Sequence, residues 1–135
     1  MSRTRASAKK AGASFERLIA DHLKTTLGIR EIDRMAKAGA LDKGDIANVR
    51  DSHDRLIAVE CKNTAKLSLP QWVGEAQQEA TNYGAHVGIT IHKRHGTTAP
   101  GSQLVTMTVD DLIKLIQAPP TSGAFTIKEG ASEND

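Results

Sequence analysis

The stretch "VECKN" sets Glu60 and Lys62 two residues apart inside an apolar run. Side chains of a strand alternate between its faces, so this carboxylate and this amine share one side while Val59 and Cys61 share the other. Such a pair is either a solvated strand face or the edge of a site. Upstream, Asp45 follows Gly44 at the head of another strand-like run, 45–50. If residues 51–54 form the turn, antiparallel pairing sets Arg50 opposite Arg55 and Asp45 opposite Glu60. Carboxylates facing each other across a strand pair repel, and a divalent cation relieves the repulsion. Mg²⁺ takes one or two carboxylates and completes its shell with water and phosphate oxygens; Mn²⁺ is expected to substitute. Lys62 would then hold or deprotonate an attacking water, or offset charge developing on phosphate. Glu16, next to Phe15 at the margin of an apolar helical stripe, is a third acid with reach to the sheet edge.

These residues need elements to position them. Phe15, Leu18, Ile19 and Leu23 recur at helical spacing and predict an amphipathic helix over 13–27 with Gly28 as its cap. A short strand over 29–35 and a glycine-containing loop over 36–44 follow. The hairpin strands span 45–50 and 55–63. Pro70 suits the first turn of a second helix, 69–83, closed by Gly84. The continuous apolar start of 85–96 predicts a strand buried on both faces. A strand over 103–110 leads into a helix over 109–117, which Pro119 and Pro120 stop. A strand, a helix and a further strand imply a parallel crossover beside an antiparallel hairpin. The fold class is therefore α/β, a mixed central sheet flanked by helices.

The 135 residues suffice for one core, and the scarcity of aromatics makes that core aliphatic. No apolar run approaches the roughly 20 residues of a membrane span, and no secretory signal opens the chain. The single cysteine, Cys61, excludes an intrachain disulfide and suits a reducing, cytoplasmic setting. The tail from Pro119 holds one base and three acids, so the rest carries 17 bases against 13 acids. Arg3, Arg5, Lys9 and Lys10 crowd the first ten residues without an acid. The organisation expected is a flexible basic arm (1–12), one domain (13–118) and a disordered acidic tail (119–135). A basic arm on a near-neutral body points to a polyanion.

"GASFERLIADHL", "KGDIANV" and "LIAVECKN", in this order, resemble the PD-(D/E)xK nucleases and, among them, the archaeal-type Holliday junction resolvases. The resemblance covers roughly residues 12–96. It implies a restriction-endonuclease-like core in the order α-β-β-β-α-β-β-α, with Glu16, Asp45 and Glu60 serving metal binding and Lys62 catalysis. It further implies that the backbone carbonyl of Cys61 is an additional metal ligand. A homodimer resolving four-way branched DNA by paired symmetric cuts, acting on the nucleoid in DNA recombination and repair, is the corresponding expectation. Gly44 stands where the family often has proline. Residues 35–44 lack the serine such resolvases often carry, so its role is absent or passes to Lys37 or Lys43. Gln78 and Tyr83 are five apart and do not match the glutamine and tyrosine signature of RecB-like exonucleases. The alternatives are a flap, nicking or end-processing nuclease of the same fold, or a non-catalytic DNA-binding protein.

Other residues have plainer readings. Asp42 rivals Asp45, but Ile46 and Val49 continue a strand directly from Asp45. Trp72 reads as core before it reads as a base-stacking platform, and Glu75 and Glu79, one turn apart on the second helix, read as a solvated helical face before they read as acids approaching the metal. Lys93 and Arg94, in "HKRHG", join the N-terminal bases as phosphate contacts. His92 and His95 lack the partners of a zinc site. The Cys61 side chain points away from the acids and packs.

Overall fold

The computed structural model describes residues 4–120; Arg3 and the tail from Thr121 on lie outside the described residues. Among the described residues, five strands form one mixed sheet in the order β1-β2-β3-β4-β5, joined by three α-helices, an α/β arrangement. The strands are β1 (Asp33–Arg34), β2 (Ile46–Ala47), β3 (Ile57–Lys62), β4 (Val87–His92) and β5 (Leu104–Thr106). The helices are α1 (Arg5–Leu27), α2 (Leu69–Tyr83) and α3 (Val109–Ile116). Only β3 and β4 are parallel, in register from Ile57↔Val87 to Lys62↔His92, and α2 is their crossover. The other neighbours are antiparallel. Among the described residues, no helix is long and apolar enough to cross a membrane.

The first helix starts eight residues before the expected Ala13, so the described part of the basic arm is helix. Thr4 caps it, its Oγ1 accepting the Ser7 N–H at 3.0 Å. Alanine and lysine then carry it forward on intrinsic preference alone. Residues 5–10 are exposed, so no apolar period announced this turn of helix. At the other end Gly28 takes φ 69° and donates to the Lys24 carbonyl, as its sequence position predicts.

The sheet divides the side chains of β3. Ile57, Val59 and Cys61 join Phe15 and Ile19 of α1 in the main core. Ala58, Glu60 and Lys62 take the other side, where α2 lies; Lys62 meets Glu75 of that helix at 3.0 Å. The alternation inferred from "VECKN" is therefore present. The approach of α2 is tight at Gly88, where a Cβ would stand 2.0 Å from the Ala76 carbonyl oxygen. Only a residue without a side chain lets this helix settle so deeply on β4.

The hairpin register is right at one end and shifted at the other. Ile46 pairs with Val59, the register that sets Asp45 opposite Glu60. Arg50, however, pairs with Leu56 rather than Arg55. The extra residue is absorbed at Asn48, whose φ is 69°. Asparagine tolerates that left-handed conformation better than other residues bearing a Cβ. This bulge also shortens β2 to two residues. On the far side, Thr108 caps α3 by accepting the Asp111 N–H at 3.1 Å, which ends the predicted strand over 103–110 early. Arg55 closes the other end of α3, donating to the carbonyls of Lys114 and Gln117 at 3.3 and 2.9 Å.

Candidate metal centre

Asp45 is fixed by backbone before its side chain does anything. Its N–H donates to the Val59 carbonyl at 2.7 Å and its carbonyl accepts the Met35 N–H at 2.8 Å. The Cys61 N–H, which finds no strand partner past the end of β2, donates to Asp45 Oδ2 at 2.8 Å. One carboxylate oxygen is thereby built into the ladder. Gly44 makes the approach possible: its φ is 98°, and a Cβ there would lie 2.9 Å from the Val59 oxygen. Proline, locked near φ −65°, has no access to this conformation.

Glu60 lies beside Asp45, and both are buried, 9% and 8% exposed. Lys62 Nζ stands 3.2 Å from Glu60 Oε2 and 3.0 Å from Glu75 Oε1. Burial, then the charge of Asp45, pushes the Glu60 carboxyl up to about 7. Burial pulls the Lys62 ammonium down, yet its bonds to Glu75 and Glu60 outweigh that, and it stands above the ordinary lysine value. Lys62 is thus held as a cation. The same bond draws Glu75 below the usual carboxylate range.

Glu16 comes to this edge from the other layer. Burial and the neighbouring Asp45 raise its pKa, against the opposing pull of Arg34. The Arg34 guanidinium holds it, Nε and Nη2 each 3.2 Å from Oε1. Glu16 therefore neighbours Asp45, while its direct partner is a base from β1. Cys61 packs in the core as expected, its thiol pushed up by burial and the surrounding carboxylates.

Two acids of this face, Glu75 and Glu79, lie deeper than the solvated face expected of them first. Glu79, taken for part of a solvated face, is 4% exposed. Burial and the proximity of Glu60 push its carboxyl up to about 9. Carboxylate oxygens of Asp42, Glu60 and Glu79 lie within 4.8 Å of one another. Among the described residues, Glu60 Oε1 and Glu79 Oε1 are buried without a hydrogen-bond donor. The signal was in the period: Trp72, Ala76 and Ala80 form the buried stripe of α2, and position 79 falls inside it. Glu75, at the margin of the stripe, is half-buried.

The basic residues divide. Arg5, Lys9 and Lys10 are exposed on α1. Lys37 Nζ stands 3.6 Å from Asp45 Oδ1, and Lys37, Asp42 and Lys43 line a cleft of about 280 Å³ formed by the 35–44 loop. Arg94 is exposed, whereas the Lys93 ammonium turns back onto the carbonyls of Arg94 and Thr97 and ties its own loop. Trp72 is core, tilted against the buried His92 ring at 5.4 Å.

No protein-family model matches this chain, and no curated protein or solved structure is detectably similar to it.

Proposed function

We propose that the chain is a divalent-cation-dependent endonuclease of the PD-(D/E)xK kind, with a restriction-endonuclease-like core, that cuts branched DNA at four-way junctions. The observation that carries this reading is the meeting of Asp45 and Glu60 at the open end of the β2–β3 ladder, with the Lys62 ammonium against Glu60. Two adjacent buried carboxylates repel, and the buried Glu60 Oε1 has no donor, so these residues fit a cation. Asp45 and Glu60 would hold it, with the Cys61 carbonyl, which leaves the strand on the same edge as the Asp45-bound N–H. Bound Mg²⁺ would polarise a phosphodiester and acidify water. Lys62, kept charged by Glu60 and Glu75, orients the attacking water and offsets charge developing on phosphate. Glu16 supports Asp45 from α1.

The DNA preference rests on charge and shape. On α1, Arg5, Lys9 and Glu16 lie on one face, with Lys9 about 10 Å and Arg5 about 16 Å along the axis from Glu16. A rigid basic track leading away from the acids suits a phosphate backbone held in one direction. Lys37 and Lys43 flank the cleft, and Arg94 adds an exposed base.

Paired cuts call for two sites about a two-fold axis, and α3 offers the surface. Its stripe Val109, Leu112, Ile113 and Ile116 is exposed, between 45% and 73%, while Asp111 faces inward at 6%. An outward apolar stripe on an amphipathic helix marks an interface. A second copy is the fitting partner: antiparallel packing of two α3 helices sets the exposed Asp110 of one near Lys114 of the other.

An immobile four-way junction, a flap and a linear duplex, each incubated with Mg²⁺ or Mn²⁺, test the proposal. Paired nicks in the junction are expected, with binding that weakens steeply in salt. Preferred cutting of flaps or ends overturns the junction assignment, and no cutting of any substrate overturns the nuclease.

A further inference from the structure

The acids on the α2 side of Glu60 are unexplained by a single cation between Asp45 and Glu60. Glu79 projects from α2 at a buried position, 4% exposed, and its Oε1 has no donor among the described residues. Glu60 Oε1 is in the same condition. Lys62 is committed elsewhere, its ammonium spanning Glu60 Oε2 and Glu75 Oε1. A third carboxylate, Asp42, joins them within 4.8 Å, and it is held there. The Asp42 carbonyl accepts the Asn82 Nδ2–H at 2.7 Å, which fastens the loop to α2 one turn beyond Glu79. Asp42 Oδ1 accepts the Gly44 N–H at 2.9 Å. One proton shared between Glu60 and Glu79 satisfies only that pair and leaves Asp42 as an added negative charge beside it. A divalent cation satisfies all three.

We infer that Asp42, Glu60 and Glu79 form a second divalent-cation position, joined through Glu60 to the one between Asp45 and Glu60. The ligand class is a hard, oxygen-seeking cation, Mg²⁺ or Mn²⁺, since every donor is a carboxylate oxygen. Asp42 sits on the exposed rim, so the position opens to water and to a substrate oxygen on that side. With Asp42, Glu60 and Glu79 holding one cation and Asp45 and Glu60 the other, the pair would supply charge stabilisation to both the entering and the leaving oxygen of a displacement. This last consequence rests on the nuclease reading; the binding of the cation does not.

Titration of the full chain with Mn²⁺, followed by calorimetry and by loss of the free-ion electron paramagnetic resonance signal, tests the inference without any activity. The wild type is expected to bind two ions. Glu79→Gln keeps size and a polar head, and is expected to weaken one of the two steps by at least about tenfold. Asp42→Asn, at an exposed position where folding is safe, should weaken the same step. Asp45→Asn should weaken the other. One ion bound, lost in Asp45→Asn and retained in both Glu79→Gln and Asp42→Asn, overturns the second position and leaves the nuclease reading standing. One ion lost in Glu79→Gln and Asp42→Asn but retained in Asp45→Asn supports the position while overturning the role given to Asp45. No Mn²⁺ bound at all overturns both.

Discussion

Two helices of this protein each bury an acid, and the acids are treated differently. On α3, Asp111 is 6% exposed, accepts a bond from Gln77 Nε2 at 3.4 Å and has Lys114 at 3.9 Å. It also occupies the first turn of its helix, where the backbone dipole favours negative charge. On α2, Glu79 is as deeply buried, sits far from that helix's start and has no donor on Oε1. The first acid is a structural anchor that holds α3 with its apolar stripe outward. The second is an acid whose burial no donor on Oε1 compensates among the described residues. Burial by itself therefore says little about function; what separates the two is whether the protein supplies the countercharge. At Asp111 it does; at Glu60 the Lys62 ammonium meets only Oε2, and the Oε1 atoms of Glu60 and Glu79, without a donor among the described residues, leave the place for a cation or a proton.

The largest break of this comparison is in activity. Lys62→Ala removes the cation held against Glu60 and should slow junction cleavage about 10³-fold, near 4 kcal/mol of barrier. Asp111→Asn, which keeps size and can still bond Gln77, should leave the single-turnover rate unchanged. Equal losses in the two variants would place catalysis elsewhere. A stability test of the same layer follows from Gly88. Gly88→Ala drives a methyl into the Ala76 carbonyl, 2.0 Å away, and α2 must lift from β4. The expected destabilisation is about 3 kcal/mol in denaturant unfolding, with loss of the Glu60 and Glu79 juxtaposition.

How much of this was visible in the residues alone depends on what fixed each feature. The α/β class, the parallel crossover and the ends of α2 follow from Pro70, Gly84 and apolar period, which are local signals. The Asp45 and Glu60 register follows from strand alternation and turn position, and Ile46↔Val59 agrees with it. The slip to Arg50↔Leu56 was not legible, because an asparagine in a left-handed conformation leaves no period to read. The helical start at Arg5 was hidden for the opposite reason: it buries nothing, so only the Thr4 cap announces it. Glu79 was misread because charge type outweighed position. Its place in the Trp72, Ala76, Ala80 stripe was the better guide. The turning of Lys93 onto its own loop has no sequence signal at all.

The pH dependence of stability sharpens the contrast between the acids. In the absence of divalent cations, burial keeps protons on Glu60 up to about pH 7 and on Glu79 up to about pH 9. In the unfolded chain both carboxyls release them near 4.5. The folded state then binds more protons throughout this window, so stability falls as pH rises from about 5 to 9. Thermal unfolding in a chelator should show the fall, and Mn²⁺ should offset it. Glu79→Gln should flatten it, since its amide donates to Glu60 without titrating. A chelated wild type whose Tm rises over this range would show that these acids are already compensated.

The apolar stripe is tested by charge. Ile116→Glu places a carboxylate at a position 72% exposed in the single chain, so folding of the protomer should change little. If a second copy covers the stripe, sedimentation equilibrium should show the dimer weakened by about 2 kcal/mol or more. Paired junction cuts should become single nicks, while Mn²⁺ binding is kept. A monomeric wild type would leave the stripe to another partner.

The smallest effect separates the anchoring of α3 from the chemistry of α2. Thr108→Ala removes the oxygen that accepts the Asp111 N–H at 3.1 Å, and loss of such a cap costs about 1 kcal/mol. The loss should be local: amides of the first turn of α3 should exchange about fivefold faster, the same 1 kcal/mol expressed as an opening equilibrium. Arg55 still holds the far end through the Lys114 and Gln117 carbonyls, so the helix should fray from its start without leaving the domain. Because α3 carries the stripe but none of the acids beside Glu60, dimerisation should weaken while Mn²⁺ binding stays at its wild-type value. If cation binding weakened in step with the dimer, the two regions would be one cooperative unit, and the separation drawn between a compensated and an uncompensated acid would fail.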